Sequence, residues 1–276
     1  MSESNRPRYA GSTITSPANE RIRFVRSLNR TSTRRLERVF LVEGARLIED
    51  ALDSGATPDM VLVEPDHLAR TPRGAALLAR LSAFRCWPIT ESVAKALSDT
   101  VTPQGVFAIF PIPTLPAQPI AGPIVLILDH LRDPGNAGTL LRSADASGVA
   151  RTVAFVDSVD AYAPKVVRAA MGAHFRLTIL EDLHWNGLLP LLGDRPRRLA
   201  AARGGTPYDR VDWTRDCALV IGGEAEGAGS EAMAVANEHI TIPMSGPAES
   251  LNAAMAGTVL LFDAARVRRQ AGGGAT

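Results

Sequence analysis

Three glycine-bearing segments in the second half of the chain carry side chains that could do chemistry together. The first, DHLRDPGNAGTLLRSADASG from Asp129 to Gly148, leaves an apolar run and opens a helix-like stretch. Free backbone N–H groups at a helix start can receive an anion or a polar ligand. Asn136 sits near that start, and Arg142 lies six residues on, about two turns into the helix, where its long side chain still reaches the loop or a neighbouring surface. The second segment, GGEAEGAGSE from Gly222 to Glu231, flanks Glu224 with Gly222, Gly223 and Gly227. Glycines let backbone approach a ligand closely, and the carboxylate can hold a hydroxyl. The third, from Ile242 to Arg269, runs from a proline and glycine loop into a long apolar helix, with Ser250 and Asn252 at its mouth. Taken singly, each has a plainer reading: a connecting turn, an exposed turn glutamate, and a Ser250 N-cap. Asn252 has no obvious structural gain at that position, asparagine being a mediocre helix former.

These segments need elements to position them. Each follows a short β-rich run: Ile124 to Leu128, Ala218 to Ile221 and His239 to Ile242. Two further runs, Thr152 to Val156 and Leu177 to Leu180, alternate with helix-length stretches, and the pattern predicts a mainly parallel α/β sheet. Sheets of that kind bind ligands beyond the carboxyl ends of their strands, where the three segments begin. No strand ends in GxGxxG, so a conventional dinucleotide site is unsupported. Prolines at 111, 113, 116, 119 and 123 make a stretch that no helix or central strand should tolerate. It divides the chain into residues 1–110, a linker 111–123, and residues 124–276. The first part shows helical periodicity near 18–30 and 44–54, with strand-like runs at Phe40 to Val42, Met60 to Val63 and Gly105 to Phe110, and reads as a small α/β domain.

Composition sets bounds. The chain has 276 residues, of which 46% are hydrophobic, enough for a real core. No stretch of 18 apolar residues occurs and Met1 to Gly11 lacks a secretory apolar segment, so a cytoplasmic protein without membrane contact is expected. Cys86 and Cys217 fall in strand-like runs far apart and read as buried small hydrophobes. The histidines 67, 130, 174, 184 and 239 are scattered without ligand spacing, and no metal is expected. Net charge is only +1, yet residues 1–40 hold nine arginines against Glu3, Glu20 and Glu37, a local balance of +6. Such a segment either engages phosphates or is a solvated face with a loose tail. Lys95 and Lys165 are the only lysines, so phosphate contacts would be mostly arginine.

The order and spacing of the three segments resemble the SpoU/TrmH family of RNA 2′-O-ribose methyltransferases. Its first motif is matched by Asn136, Gly138 and Arg142, its second by Gly222, Glu224 and Gly227, and its third by Ile242, Pro243, Met244, Gly246, Ser250, Leu251 and Asn252. The resemblance runs over the whole second half. The third motif departs from it, reading SLNAA where the family often has SLNVS, so Ala253 and Ala254 lose a hydroxyl from the helix start. FLVEGARLIEDALDSG, from Phe40 to Gly55 with Glu43 and Gly44 as its recognisable core, resembles the substrate-binding domain that often precedes this catalytic domain, itself similar to small ribosomal RNA-binding proteins.

The resemblance implies an α/β fold with a C-terminal trefoil-knot (SPOUT) domain and a smaller N-terminal RNA-binding domain, although general topology rules argue against threaded chains. It implies S-adenosyl-L-methionine as methyl donor, a homodimer whose RNA site combines both subunits, and structured RNA as substrate, 23S ribosomal RNA ahead of transfer RNA, with no DNA partner. It places the donor on backbone at Gly222, Ile242 and Leu251. Arg142 is the activating position, and because a guanidinium stays protonated it would anchor a phosphate and polarise the nucleophile, oriented by Asn136, Glu224, Ser250 and Asn252. A catalytically silent RNA-binding or ribosome-assembly scaffold and methylation at a base nitrogen are the competing readings.

Overall fold

The computed structural model describes residues 9–98, 100, 102–118, 120–224 and 227–272. Glu3, Arg6, Arg8 and Pro119, used in the charge and linker readings, lie outside the described residues. The chain forms two compact units, Met1–Pro113 with Tyr162–Pro164, and Thr114–Ala161 with Lys165–Thr276.

In the first unit the elements run α1 (Glu20–Ser27), α2 (Thr31–Glu37), β1 (Val39–Glu43), α3 (Ala45–Asp53), β2 (Met60–Val63), α4 (Pro65–Leu68), α5 (Pro72–Leu81), β3 (Cys86–Pro88), α6 (Glu91–Leu97) and β4 (Val106–Pro111). Among the described residues the strands form one four-stranded sheet in the order β1-β4-β2-β3, with β4 antiparallel to both neighbours and β3 parallel to β2. Phe107 and Ile109 of β4, Leu62 of β2 and Trp87 of β3 meet Ile22, Val25 and Leu28 of the α1 region in one buried cluster. The segment from Tyr9 to Ile14 runs beside β3, its Ala10 and Ile14 amides donating to the Cys86 and Pro88 carbonyls at 2.8 Å, which covers that sheet edge.

The helix expected near 18–30 is α1, which ends at Ser27, and an unanticipated helix, α2, follows it from Thr31. Arg34, only 2% exposed, folds back and donates to the Leu28 carbonyl and the Thr31 hydroxyl, satisfying the end of α1 and locking the break. One arginine of the basic N-terminal stretch is therefore a structural clamp rather than a phosphate ligand. Pro111, expected to stand outside any central strand, is the last residue of central β4. Pairing continues past it through the Ile112 amide, which donates to the Arg38 carbonyl at 2.8 Å.

The second unit runs β5 (Ile124–Asp129), α7 (Pro134–Ser147), β6 (Thr152–Val156), α8 (Pro164–Ala170), β7 (Thr178–Leu183), α9 (Trp185–Leu192), β8 (Arg197–Ala200), β9 (Thr206–Pro207), β10 (Cys217–Gly222), α10 (Ser230–Val235), β11 (Glu238–Thr241) and α11 (Ala253–Ala271). Among the described residues its seven strands are ordered β7-β6-β5-β10-β8-β11-β9, every pairing parallel. β5 and β6 are buried at every position, as befits strands covered on both faces. β7 extends past Leu180, with a register shift and a positive φ of 57° at Asp182, and β11 stops before Ile242.

β8 and β9 were not anticipated. β8 reads RRLA, and its arginines interrupt the apolar run by which a buried strand is recognised. Arg198 is 2% exposed because Glu238 of the neighbouring strand accepts from its Nε at 2.6 Å and the Trp213 ring lies 5.3 Å from the guanidinium. Cys217 and Cys86 are buried as expected, and burial pushes the Cys86 thiol up to about 12. Among the described residues no helix is long and apolar enough to cross a membrane.

α7 is the hinge between sheet and site, and small residues seat it. A Cβ at Gly138 would lie 2.3 Å from Ala169 Cβ and 2.8 Å from the Val166 carbonyl oxygen of α8, while Ser143 and Thr258 share a 2.7 Å hydroxyl contact with α11. Gly138→Ala should therefore lower stability by about 1–3 kcal/mol, read as a fall in denaturation midpoint. His174 is fully buried with Nε2 2.7 Å from the Ala161 carbonyl oxygen, and burial pulls its pKa from 6.5 down to about 4. The unfolded chain binds this proton more readily, so the stabilisation is present above pH 6.5 and is lost as pH falls from there towards 4, on the order of 3 kcal/mol in full. Denaturant titrations across that window should show the loss, and His174→Gln should flatten it.

Candidate active site

The carboxyl ends of β5, β8, β10 and β11 open on one side of the second sheet. α7 starts there with Asp133 as N-cap, its carboxylate accepting from the Asn136 amide at 2.7 Å, and with Pro134 in the first turn. Asn136 is thereby held at a helix start, where its carboxamide points across the strand ends. Its Nδ2 donates to Glu224 Oε1 at 2.6 Å, and its Oδ1 accepts from Asn252 Nδ2 at 3.0 Å. Asn252 in turn caps α11, its Oδ1 accepting from the Ala254 and Met255 amides at 2.9 and 3.3 Å. The expected cap was Ser250, and the structure corrects this: Asn252 caps the helix because its side chain can accept from α11 and donate to Asn136 at once. Ser250 stands free of that duty, exposed at the cavity wall.

The β10 loop is built for close approach. A Cβ on Gly222 would fall 2.3 Å from the Ala228 amide nitrogen, and one on Gly223 2.3 Å from the His130 carbonyl oxygen. Gly223 and Gly227 exchange backbone hydrogen bonds at 2.9 and 3.2 Å, Gly227 with a φ of 73°. Sequence reasoning missed the residue that anchors this loop. Asp129, fully buried at the end of β5, accepts from the Gly229 amide at 2.6 Å and from the Trp185 indole at 2.9 Å, tying the loop to β5 and α9. An acid closing an otherwise apolar strand, LILD, was the available signal.

Between these loops lies a cavity of about 240 Å³. Ala200 and Ala201 form one wall, Gly222 and Gly223 a second, and Ile242, Leu251 and Ala253 the rest, with Glu224 and Ser250 as polar groups. Ala200 to Ala202 were missed along with β8. The wall chemistry suits a ligand whose flat or apolar part is gripped by backbone and whose polar or cationic part meets one carboxylate. Of the residues singled out from sequence, Gly222, Glu224, Ile242, Ser250 and Leu251 line the cavity, and Asn136 and Asn252 join it through Glu224. Arg142 does not. It is exposed on α7, and among the described residues its guanidinium makes no hydrogen bond or ion pair.

Comparison with known proteins adds a second kind of observation. The SpoU rRNA Methylase family model matches residues 123–262, and the MRM3-like substrate binding domain model matches residues 19–108. The mitochondrial rRNA methyltransferase 3A of Danio rerio is 34% identical over 82% of this chain, which spans 63% of that relative's length. The 23S rRNA (guanosine(2553)-2′-O)-methyltransferase RlmP of Bacillus subtilis is 28% identical over 90% of this chain and 97% of its own. The crystal structure of an AdoMet-bound rRNA methyltransferase from Sinorhizobium meliloti superposes with a TM-score of 0.78, at 27% identity, covering 92% of this chain and 97% of that one.

The hydrogen-bond chain makes a separable prediction. Asn252→Ala removes the α11 cap and should cost about 1 kcal/mol of stability. Asn252→Asp keeps a cap acceptor but has no N–H to donate to Asn136, so its stability should stay near that of the parent protein in the same denaturation experiment while ligand affinity at the cavity falls.

Proposed function

The chain belongs to the SpoU rRNA methylase family, and from that premise we propose that it transfers a methyl group from S-adenosylmethionine to a ribose 2′-hydroxyl of large-subunit ribosomal RNA. The observation that carries this reading is the hydrogen-bonded chain from α11 through Asn252 and Asn136 to Glu224 at the wall of the strand-end cavity. The bacterial and vertebrate relatives named as rRNA methyltransferases support the substrate class.

S-adenosylmethionine, when bound, supplies an electrophilic methyl on a sulfonium centre. The cavity fits such a donor: a Cβ on Gly222 would fill the close approach that backbone recognition needs, and Glu224 offers a counter-charge to a cation. Backbone at Gly222, Ile242 and Leu251 would hold the donor. Asn136 fixes the rotamer of Glu224, and Ser250 lends a hydroxyl at the same wall. In-line displacement needs the ribose oxygen brought to the methyl with its proton loosened. Arg142 cannot accept that proton, since its guanidinium stays charged at any working pH. It would anchor the phosphate beside the target ribose and polarise the nucleophile, a role supported by its exposed, unpaired state on the helix that carries Asn136.

Three further parts belong to the proposal. Residues 1–110 are read as the RNA-binding domain and 124–276 as the catalytic domain, joined by 111–123, which agrees with the substrate-binding match over 19–108. The trefoil knot is supported by the path of the chain, which leaves β11 near one side of the sheet yet delivers Asn252 to Asn136 on α7 after β5. A homodimer is supported by the face of α11 that leaves Met255 and Phe262 exposed at 60% and 43%, seven residues apart on one stripe. The cytoplasmic location goes with a bacterial ribosome as substrate, and the vertebrate relatives are mitochondrial by name.

Two measurements test the reading. Isothermal calorimetry should show donor binding in the parent protein and in Arg142→Ala alike, while transfer of labelled methyl falls at least about a hundredfold in the variant. Unchanged turnover would remove the role given to Arg142, and no heat at millimolar donor would leave only a scaffold. Digestion of the labelled RNA to nucleosides should recover the methyl on ribose, and label on a base would overturn the reaction proposed.

A further inference from the structure

The first unit holds a second cleft, remote in sequence from the segments already described. Its floor is the strand-like stretch from Ala10 to Ser16, and Asn19, Arg21 and Trp87 complete it. Ser12, Thr13, Thr15 and Ser16 give it a run of hydroxyls, and among the described residues no carboxylate lines it.

Trp87 is 5% exposed, its ring packed in the core of the unit. A Cβ on Gly11, in the facing wall, would lie 3.7 Å from both its Nε1 and its Cδ1, so the N–H edge is the part turned towards the cleft. Among the described residues no group accepts that N–H. The other two tryptophans, Trp185 and Trp213, both donate theirs to protein oxygens, at 2.9 and 3.0 Å. The Trp87 N–H is instead left open at the cleft, where a ligand oxygen can take it.

Two cations sit at the same ring. The guanidinium carbons of Arg21 and Arg85 lie 5.2 and 5.4 Å from the Trp87 ring centroid. Both side chains are exposed, and neither has an ion pair among the described residues. Stacking on an aromatic face restrains a guanidinium while leaving its N–H edges open, the state in which it takes phosphate oxygens in bidentate fashion.

We propose that this cleft binds a phosphodiester of the RNA substrate, with Arg21 at its wall and Arg85, outside the lining but stacked on the same Trp87 ring, taking its oxygens and the Trp87 indole donating to the adjoining nucleotide. The proposal rests on the reading that the chain acts on RNA, and it names where the first unit grips that RNA. Asn19 holds the α1 start by accepting from the Arg21 amide at 2.9 Å, which fixes the backbone from which Arg21 projects.

The experiment measures binding of the full chain to an unmodified large-subunit rRNA transcript across a salt series. Arg21→Ala/Arg85→Ala, both at exposed positions, should raise Kd about tenfold or more and lower the slope of log K against log salt by about one to two. Trp87→Phe keeps an aromatic ring in the core but removes the N–H donor with part of the indole, and should weaken binding about threefold with the salt slope kept, since a neutral hydrogen bond releases no counterion. Equal affinity and equal slope in the double variant, with the parent protein binding the transcript, would overturn the cleft assignment and leave the methyltransferase reading intact. Failure of the parent protein to bind the transcript at low salt would overturn both.

Discussion

A carboxamide has one end that donates and one that accepts, and in this protein that asymmetry organises the site. The first amides of α11 take the Asn252 oxygen, so its nitrogen must face Asn136. The Asn136 oxygen takes that proton, so its own nitrogen must face Glu224. Each bond dictates the orientation of the next, and the sequence of donors ends on a carboxylate, the one group that needs no proton of its own to complete it. Three loops that leave different strands are thereby held in one arrangement. Asp129 does the same from below, where a buried acid with two N–H partners fixes the turn that carries Glu224.

The strand ends and their glycines were readable from the chain because parallel strands buried on both faces leave long apolar runs, and glycine marks where such runs stop. Asn136, Glu224 and Asn252 were found that way, and they meet. What the pattern could not show was β8, whose Arg198 looks like a surface residue until Glu238 and Trp213 are seen beside it. With β8 went Ala200 to Ala202, a full wall of the cavity. The cap of α11 was misassigned for a related reason. Ser250 and Asn252 are both good caps by type, and only a partner in another segment chooses between them.

The basic stretch at the start of the chain separates into two kinds of arginine. Arg34 is spent on backbone carbonyls at the α1–α2 break, a position where a charge is kept by what it binds inside the molecule. Arg21, Arg23, Arg26 and Arg30 project into solvent without ion pairs among the described residues. Composition counts these alike, and burial alone distinguishes a residue that holds the fold from one that waits for an outside anion.

The bonds that join Asn136 to Glu224 and to Asn252 span 88 and 116 residues of chain. Contacts so distant in sequence form only after long segments have been ordered, and closing such loops is the slow part of assembling a parallel sheet. The cavity at the strand ends therefore depends on contacts that a partly ordered second unit does not have. The site is whole only when α11 is docked against α7, so any chain that has lost or not yet placed that helix lacks the Asn252 end of the hydrogen-bonded series.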